Sequence, residues 1–522
     1  MTRLKLACWW LCALSSFSYS LGNRLPPLEF LGNQFFSSET GESVRLKGVA
    51  YYPRPNAGEL NVNGVDFFHE DYRELWERDI AWMKKLGINA VRIYAVDTSK
   101  DHDGFMCAMQ EAGIYVLVGL SATCDGCSIT MDPAPACYSP SLKVRGMQVI
   151  NHFSKYENVL GFDATNEVHL NSNVSDTGPC QRKFLSDMKT FIADCDAMPR
   201  KVPVGLSFAD RDRTLLIDYY NCEEQRGDTA VPDWFGLNIY LDCNPDHLYV
   251  NESKAFPVLL SDFENYSLPV LLTEFGCNGP QFPTIDGFEG QRNWRAAKWL
   301  HEGEYQEAFV GTFAFEFSTE AIWANRTGGY YPFQVYSDGD HGIGYYQPEL
   351  CDHIDVPCEY VMKPQFDLLK EQYAATPNSG AFQRATFIPK STARTVCPPG
   401  IAPVSSFVWP SDDEAGPYCW DQSVDPCGTK PGGDNGVGAP TGTPTSGRPP
   451  AETPPTGPSP TGRPPAGSPT SGTSPSGTPS LGTTPTSTLP SDGGSVVSSY
   501  GSRIMLAYHS LAITMGLLQC LV

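Results

Sequence analysis

Two glutamates end apolar segments of strand length, 107 residues apart. Glu167 closes the run Val-Leu-Gly-Phe-Asp-Ala-Thr-Asn-Glu that starts at Val159, and Glu274 lies in the apolar run 270–275. A retaining glycosidase needs one protonated carboxyl to donate to the leaving oxygen and one carboxylate to attack the anomeric carbon. Asn166 precedes Glu167 and offers an amide to the 2-hydroxyl of a sugar. We therefore assign Glu167 as acid/base and Glu274 as nucleophile.

Other polar and aromatic residues lie close to the same strand ends. Arg92, in another predicted strand, can hold a carboxylate in its charged form, although a structural ion pair is the alternative. Aromatic rings there can stack on sugars, and phenols can hydrogen-bond to carboxylates. The aromatic candidates are Tyr51, Tyr52, Tyr94, Tyr240, Phe315 and Phe317. Each of them, taken alone, is equally compatible with core packing.

The elements that must position these residues alternate between strand and helix. Eight strands are predicted at 46–52, 89–96, 114–120, 159–165, 202–208, 235–240, 270–275 and 310–317. Amphipathic segments between them include 72–86, 147–156, 180–193 and 292–303. Eight such units indicate a (β/α)8 TIM barrel, whose active site lies at the C-terminal ends of the strands. A doubly wound sheet is the alternative, but no glycine-rich phosphate loop follows the first strand.

Composition limits the class of partner. The chain has 522 residues, 41% of them hydrophobic, and a formal net charge of -22. This charge argues against nucleic acid and against electrostatic binding to anionic lipid, whereas a neutral polysaccharide is compatible with it. We expect a monomer.

The N-terminus and the cysteines predict export. Residues 1–20 have the basic, apolar and small-residue order of a signal peptide. Without Cys8, Cys12 and Cys520, 14 of the 17 cysteines remain, an even number that suits disulfides in an oxidising compartment. Asn-X-Ser/Thr sequons, which predict N-glycosylation, occur at Asn173, Asn251, Asn265 and Asn325.

One cysteine pair has a spacing that also occurs in metal and redox sites. Cys124 and Cys127 are separated by two residues, and Cys137 follows nearby. In an exported protein, disulfides that restrain the loop after the third strand are the preferred interpretation. We therefore predict no metal site.

The C-terminal part contains no candidate core. We assign 21–400 to the catalytic barrel, 401–430 to a cysteine-containing extension and 431–490 to a disordered stalk rich in Pro, Thr, Ser and Gly. Residues 491–522 combine small residues, a short polar spacer and an apolar tail, the pattern of a removable glycolipid (GPI) anchor signal. A single C-terminal transmembrane helix is the alternative.

Several segments together resemble the fungal β-1,3-glucanosyltransferases of glycoside hydrolase family 72, glycolipid-anchored enzymes that elongate wall glucan. The similar segments are 48–51, 92–95, 101–103, 159–162, 166–168, 236–240 and 273–278. The resemblance implies that Glu167 is the acid/base, Glu274 the nucleophile, and Asn166, Tyr94 and Tyr240 substrate contacts. It also implies cell-surface attachment through the anchor, with possible association with the wall.

The resemblance further implies two disulfides and a complete reaction. Cys243 would pair with Cys277, and Cys222 with Cys397. Glu274 would form a glycosyl-enzyme, and the 3-hydroxyl of a second β-1,3-glucan would then attack it after Glu167 has switched from acid to base. No cofactor is needed for this double displacement.

Some positions depart from the family pattern. Tyr52 stands where the family usually has Gln, Gly119 where it has Asp, and Phe315 and Phe317 where it has tyrosines. Trp76 takes the place of a family cysteine, which removes the usual partner of Cys107. Because these changes affect sugar subsites, a retaining endo-β-1,3-glucanase and a non-catalytic glycan-binding wall protein remain alternatives.

Overall fold

Eight parallel strands close into a barrel in the computed structural model, which describes residues 25–58, 64–419 and 426–427. The strands in these residues are β1 (Leu28–Leu31), β2 (Gln34–Ser37), β3 (Glu42–Val44), β4 (Leu46–Ala50), β5 (Ala90–Ile93), β6 (Tyr115–Gly119), β7 (Val159–Asn166), β8 (Val204–Ala209), β9 (Phe235–Ile239), β10 (Val270–Phe275), β11 (Phe309–Ala314), β12 (Gly344–Gln347), β13 (Glu359–Met362) and β14 (Ser379–Gln383). Strands β4 to β11 follow in order around the barrel, and β11 pairs with β4. The predicted (β/α)8 barrel is confirmed, and the open sheet is excluded.

Helices follow most of the barrel strands. They are α1 (Arg73–Leu86), α2 (Asp103–Glu111), α3 (Pro140–Phe153), α4 (Val174–Asp194), α5 (Arg213–Asn221), α6 (Ala255–Phe263), α7 (Arg295–Trp299), α8 (Tyr305–Ala308), α9 (Ala321–Arg326) and α10 (Pro364–Ala374). Helix α3 starts earlier than predicted because Ser139 caps it by accepting a hydrogen bond from the Leu142 N–H. Helix α7 is shorter than the predicted segment and starts only at Arg295, since Trp294 before it has a left-handed backbone (φ 56°).

Large aromatic side chains fill the barrel interior next to glycines. A Cβ on Gly48 would lie 2.4 Å from the Phe313 ring, and one on Gly205 would lie 2.2 Å from the Trp234 ring. Phe313 and Trp234 belong to a buried cluster with Leu46 and other strand residues. The glycines are therefore needed for close packing inside the barrel.

A small sheet covers the N-terminal end of the barrel. Strands β1, β2, β3 and β14 form this sheet, which the sequence reasoning did not predict. Leu28 and Phe35 pack into the interior cluster, and the Tyr115 hydroxyl donates to the Pro26 carbonyl at 2.7 Å. The short length of these strands, three to five residues, explains why their pattern was not recognised.

Seven disulfides join the described residues. They are Cys107–Cys427, Cys124–Cys127, Cys137–Cys180, Cys195–Cys419, Cys222–Cys397, Cys243–Cys277 and Cys351–Cys358. Two of these are the pairs that the family resemblance implies. Cys107, whose family partner is replaced by Trp76, is joined to the C-terminal extension instead.

The extension packs along α3 and α4. Lys143 donates to the Ser411 and Glu414 carbonyls at 2.9 and 3.0 Å, and Lys183 pairs with Asp412 at 2.7 Å. The Trp409 side chain is buried beside this surface. Residues 401–419 are therefore joined to the barrel by side-chain packing as well as by cysteines.

The predicted terminal segments lie outside the described residues. These are the signal peptide at 1–20, the stalk at 431–490 and the anchor signal at 491–522. In the part of the chain that the structure does describe, no helix is both long enough and apolar enough to cross a bilayer.

Candidate active site

Glu167 and Glu274 reach the same end of the barrel from different strands. Glu167 directly follows β7 in a left-handed conformation (φ 54°), and its N–H donates to the Ser207 carbonyl at 2.9 Å. Glu274 lies in β10, in register with Asn238 of β9. A positive φ is unusual for a glutamate and often marks a functional position, where the local fold must hold the side chain in place.

Three donors hold the Glu274 carboxylate. Oε1 accepts from the Arg92 guanidinium at 2.8 Å and from the Tyr94 hydroxyl at 3.1 Å, and Oε2 accepts from the Tyr240 hydroxyl at 2.8 Å. Burial, followed by the charge of Glu274, raises the pKa of Tyr240 well above its ordinary value, so this phenol remains a donor. The donors fix the carboxylate and compensate its charge.

Arg92 is buried and connects Glu274 with the neighbouring strands. Its Nη2 donates to Asp163 at 2.9 Å and to the Asn166 Oδ1 at 2.8 Å. Asp163 also accepts from the Ser207 hydroxyl at 2.7 Å. The Arg92 guanidinium therefore forms ion pairs with both Asp163 and Glu274, and all three residues lie in barrel strands.

Glu167 has a different environment from Glu274. Its Oε1 accepts one hydrogen bond, from the Asn238 amide at 2.9 Å, and the same amide donates to the Asn166 Oδ1 at 3.0 Å. Burial and then the negative charge of Glu274 raise the pKa of Glu167 to about 7, while the Asn238 bond opposes this increase. A carboxyl with such a pKa can exchange a proton near neutral pH.

Asn166 has an amide group available for a ligand. The two hydrogen bonds at this side chain, from Arg92 and Asn238, both end on Oδ1. The Asn238 amide is oriented in turn by the Thr273 hydroxyl, which donates to its Oδ1 at 2.8 Å. The Asn238 Nδ2 therefore faces Asn166. The NH2 group of Asn166 donates to no other residue in the described part of the chain.

The predicted aromatic contacts divide into two groups. The Tyr94 and Tyr240 phenols bond to Glu274, the Tyr52 ring lies 6.3 Å from Tyr94, and the Phe315 ring lies 6.3 Å from Tyr240. Phe317 is fully buried and stacks on another ring. The expectation of a sugar contact at Phe317 is therefore corrected: its ring packs in the core.

The sequence reasoning missed two polar residues of the site, Asp163 and Asn238. Asp163 interrupts an otherwise apolar run, and a charge in a buried strand needs a partner, so this signal was available. Asn238 lies in β9 just before Tyr240, and nothing in its local sequence distinguishes it from other strand residues.

The sequon asparagines and the Cys124–Cys127 pair make none of these contacts. The sequon asparagines Asn173, Asn251, Asn265 and Asn325 are all exposed. Cys124 and Cys127 form a disulfide with each other. Over the described ranges, no group of three or more His, Cys, Asp or Glu side chains is arranged to hold a metal ion.

Comparison with known sequences identifies similar proteins. The family model for glycoside hydrolase family 72, described as glucanosyltransferase, matches residues 18–326. The 1,3-beta-glucanosyltransferase GAS5 of Saccharomyces cerevisiae is 32% identical over 329 residues, 63% of this chain and 61% of that protein. The 1,3-beta-glucanosyltransferase gas5 of Schizosaccharomyces pombe is 29% identical over 390 residues, 74% of this chain and 66% of that protein. The chain thus spans a little under two thirds of the length of these relatives.

Solved structures show the same similarity. Gas2p of Saccharomyces cerevisiae in complex with laminaripentaose superposes with a TM-score of 0.56 and 25% identity, covering 72% of this chain and 74% of that one. The structure of Gas2p with laminaritriose and laminaritetraose gives a TM-score of 0.54 and 25% identity, over 69% and 71% of the two chains.

Proposed function

Because the chain belongs to glycoside hydrolase family 72, the glucanosyltransferase family, we propose that it is a retaining β-1,3-glucanosyltransferase. The observation that carries this proposal is the contrast between the two carboxylates. Glu274 is held by three donors, whereas Glu167 accepts one and has a pKa raised to about 7. Solved relatives that hold laminari-oligosaccharides support β-1,3-glucan as donor and acceptor.

In the first step, Glu274 attacks the anomeric carbon of the bound glucan. A glycosyl-enzyme bond forms between that carbon and a Glu274 oxygen, and the glycosidic bond to the departing chain breaks. Glu167 gives its proton to the departing oxygen and becomes a carboxylate. Arg92, Tyr94 and Tyr240 hold the nucleophile in a single orientation before the reaction, so little reorganisation is needed.

In the second step, the 3-hydroxyl of another glucan takes the place of the departed chain. Glu167, now ionised, removes the hydroxyl proton, and the new bond to the anomeric carbon displaces Glu274. The free NH2 group of Asn166 is placed to donate to the 2-hydroxyl of the transferred sugar. Such a bond strengthens as the transition state develops.

A retaining endo-β-1,3-glucanase is the second candidate, and two positions favour it. The Tyr52 hydroxyl donates to the Val65 carbonyl at 3.0 Å and is therefore engaged within the protein. At Gly119 a Cβ would lie 2.5 Å from the Tyr94 carbonyl oxygen, so the backbone leaves no room for the acidic side chain of the family pattern. Both departures change the sugar subsites and spare the two carboxylates.

We also propose that the protein acts as a monomer at the cell surface, held by a GPI anchor and in contact with wall glucan. The signal-like residues 1–20 and the anchor-like residues 491–522 support this location. The exposed sequon asparagines and the seven disulfides are consistent with export.

The test is product analysis by mass spectrometry with a reduced β-1,3-oligoglucoside of defined length. Transfer predicts products longer than the substrate, and the variants Glu167→Gln and Glu274→Gln should form none. Shorter products alone would assign the protein as a hydrolase. If the natural chain binds the oligosaccharide but forms no product, a glycan-binding role would replace both enzymatic candidates.

A further inference from the structure

A third glutamate, Glu316, lies at the end of the strand next to that of Glu274. It follows the end of β11 by two residues, and 5% of its surface is exposed. No hydrogen bond or ion pair joins its carboxyl group to another residue in the described part of the chain. A buried polar group without a protein partner costs stability, and a bound ligand can supply the missing hydrogen bond.

The backbone holds Glu316 firmly in place. Its N–H donates to the His341 carbonyl at 3.1 Å, and its carbonyl accepts from the Ile343 N–H at 2.9 Å. The preceding carbonyl, of Phe315, accepts from the buried Arg292 guanidinium at 2.8 Å. The backbone that carries the Glu316 side chain is therefore fixed.

Burial favours the neutral form of the Glu316 carboxyl. Burial raises its pKa well above the ordinary value, the charge of Glu320 and then that of Glu274 act in the same direction, and Arg54 opposes them. Arg54 is itself paired with Glu320 at 3.4 Å. A neutral carboxylic acid has one O–H to donate and one carbonyl oxygen to accept, which complements a sugar hydroxyl.

The position of Glu316 determines which sugar unit of a bound glucan its side chain can contact. The N–H of Phe315, the residue before Glu316, donates at 2.9 Å to the carbonyl of Phe275, the residue after Glu274. The sugar that Glu274 attacks must lie against Glu274, and therefore close to Glu316. Strand β11 lies between β10 and β4 in the barrel, on the side of Tyr52 and Arg54.

We propose that Glu316 is a substrate-binding residue that holds a hydroxyl group of the glucan unit positioned against Glu274. This inference rests on the proposed function. Because the contact is made without charge, an amide of the same shape should replace it. A side chain without a donor and an acceptor should not.

The test measures binding of laminaripentaose by titration calorimetry in a Glu167→Gln background, which prevents turnover. Adding Glu316→Ala is expected to weaken binding at least tenfold, whereas adding Glu316→Gln should leave it within about threefold. The control, Glu371→Ala on the exposed face of α10, should leave binding unchanged. Thermal unfolding of each variant separates lost binding from lost folding.

The binding measurements can contradict the proposed role of Glu316 in three ways. Unchanged binding in a folded Glu316→Ala variant would overturn the contact, and a Glu316→Gln variant as weak as Glu316→Ala would show that an ionised carboxylate is needed instead. If the Glu167→Gln background itself did not bind laminaripentaose, the proposed function would fail, and this inference with it.

Discussion

Glu167 and Glu274 are the same residue type with different surroundings, and the surroundings assign their roles. Three donors stabilise negative charge on Glu274, as a nucleophile requires. A single amide reaches Glu167, and burial together with the nearby Glu274 charge raises its pKa and disfavours its ionisation. Placing two carboxyls in unlike environments is a general way for an active site to separate a nucleophile from an acid.

The pH profile of the first step should report Glu167. Since its pKa is raised to about 7 and the step needs the protonated form, kcat/KM for the donor should fall as pH rises through about 7. Initial rates of donor cleavage between pH 4 and 9 measure this limb. Asn238→Ala removes the hydrogen bond that favours the ionised form of Glu167. In this variant, the decrease in kcat/KM should therefore occur at higher pH. A decrease in kcat/KM at the ordinary pKa of a carboxyl group would contradict this account.

Arg92→Lys tests the guanidinium that serves two carboxylates. A lysine cannot reproduce the forked donors to Asp163, Glu274 and Asn166, so one buried carboxylate would lose its partner. We expect transfer to fall by about two orders of magnitude and stability by about 3 kcal/mol, the usual scale for a broken buried pair. Initial rates and urea unfolding measure the two effects.

A second substitution provides the control. Asp163→Asn removes one of the two charges, so in a double-mutant cycle its effect on stability should not add to that of Arg92→Lys. Full additivity would mean that the two side chains act independently, contrary to the hydrogen bonds between them.

Among single residues, the sequence predicted those site residues that lie at or near the end of a predicted strand. Glu167, Glu274 and Arg92 lie where the pattern predicted, whereas Phe317 was placed in the site although its ring faces the core. Phe317 lies three residues beyond the end of β11, where the alternation of a strand no longer determines the direction of a side chain. Glu316 carried the same strand-end signal as the two catalytic candidates but was passed over between two aromatic residues.

The packing of the barrel strands depends on glycines that lie opposite large aromatic rings. Gly205→Ala would place a methyl group within 2.2 Å of the Trp234 ring, in an interior with no room to adjust. We expect a loss of about 1–3 kcal/mol in the free energy of unfolding, measured with urea. Gly64→Ala, where no described atom lies within 4 Å of the added group, serves as control and should change stability little. Equal effects at both positions would refute the packing argument.

The strands were easier to predict than the elements around them. All eight barrel strands lie within two or three residues of the predicted segments, because buried parallel strands are continuous apolar runs. The sheet of β1, β2, β3 and β14 joins segments more than 300 residues apart, and no local pattern reveals such a pairing. Helix α7 begins later than predicted because Arg292 and Trp294 make tertiary contacts before it, and local periodicity does not contain these contacts.

For the molecule as a whole, the extension after the barrel is a structural part of the enzyme. Cys195 and Cys419 are 224 residues apart, so their disulfide restricts a long segment of the unfolded chain. Replacing both by serine should lower stability by about 2–5 kcal/mol, measured by thermal unfolding. The same change at Cys124 and Cys127, only three residues apart, should cost less. A larger loss at the short loop would contradict this view.

The large-scale organisation was predicted where composition changes sharply. The division between the barrel and the sequence rich in Pro, Thr, Ser and Gly follows from the absence of core-forming residues after the last cysteines. The connections of Cys107 and Cys195 to the extension could not be derived, because cysteine spacing alone allows many pairings.

Trapping the covalent intermediate tests the central claim most directly. A laminaribiosyl fluoride with fluorine at position 2 of the reacting sugar should glycosylate the enzyme and turn over slowly, because the 2-hydroxyl interaction that assists the transition state is lost. Mass spectrometry of the intact protein should show one added glycosyl group, and peptide mapping should place it on Glu274. An adduct on Glu167 or Glu316, or none from a chain that processes unmodified glucan, would contradict the account.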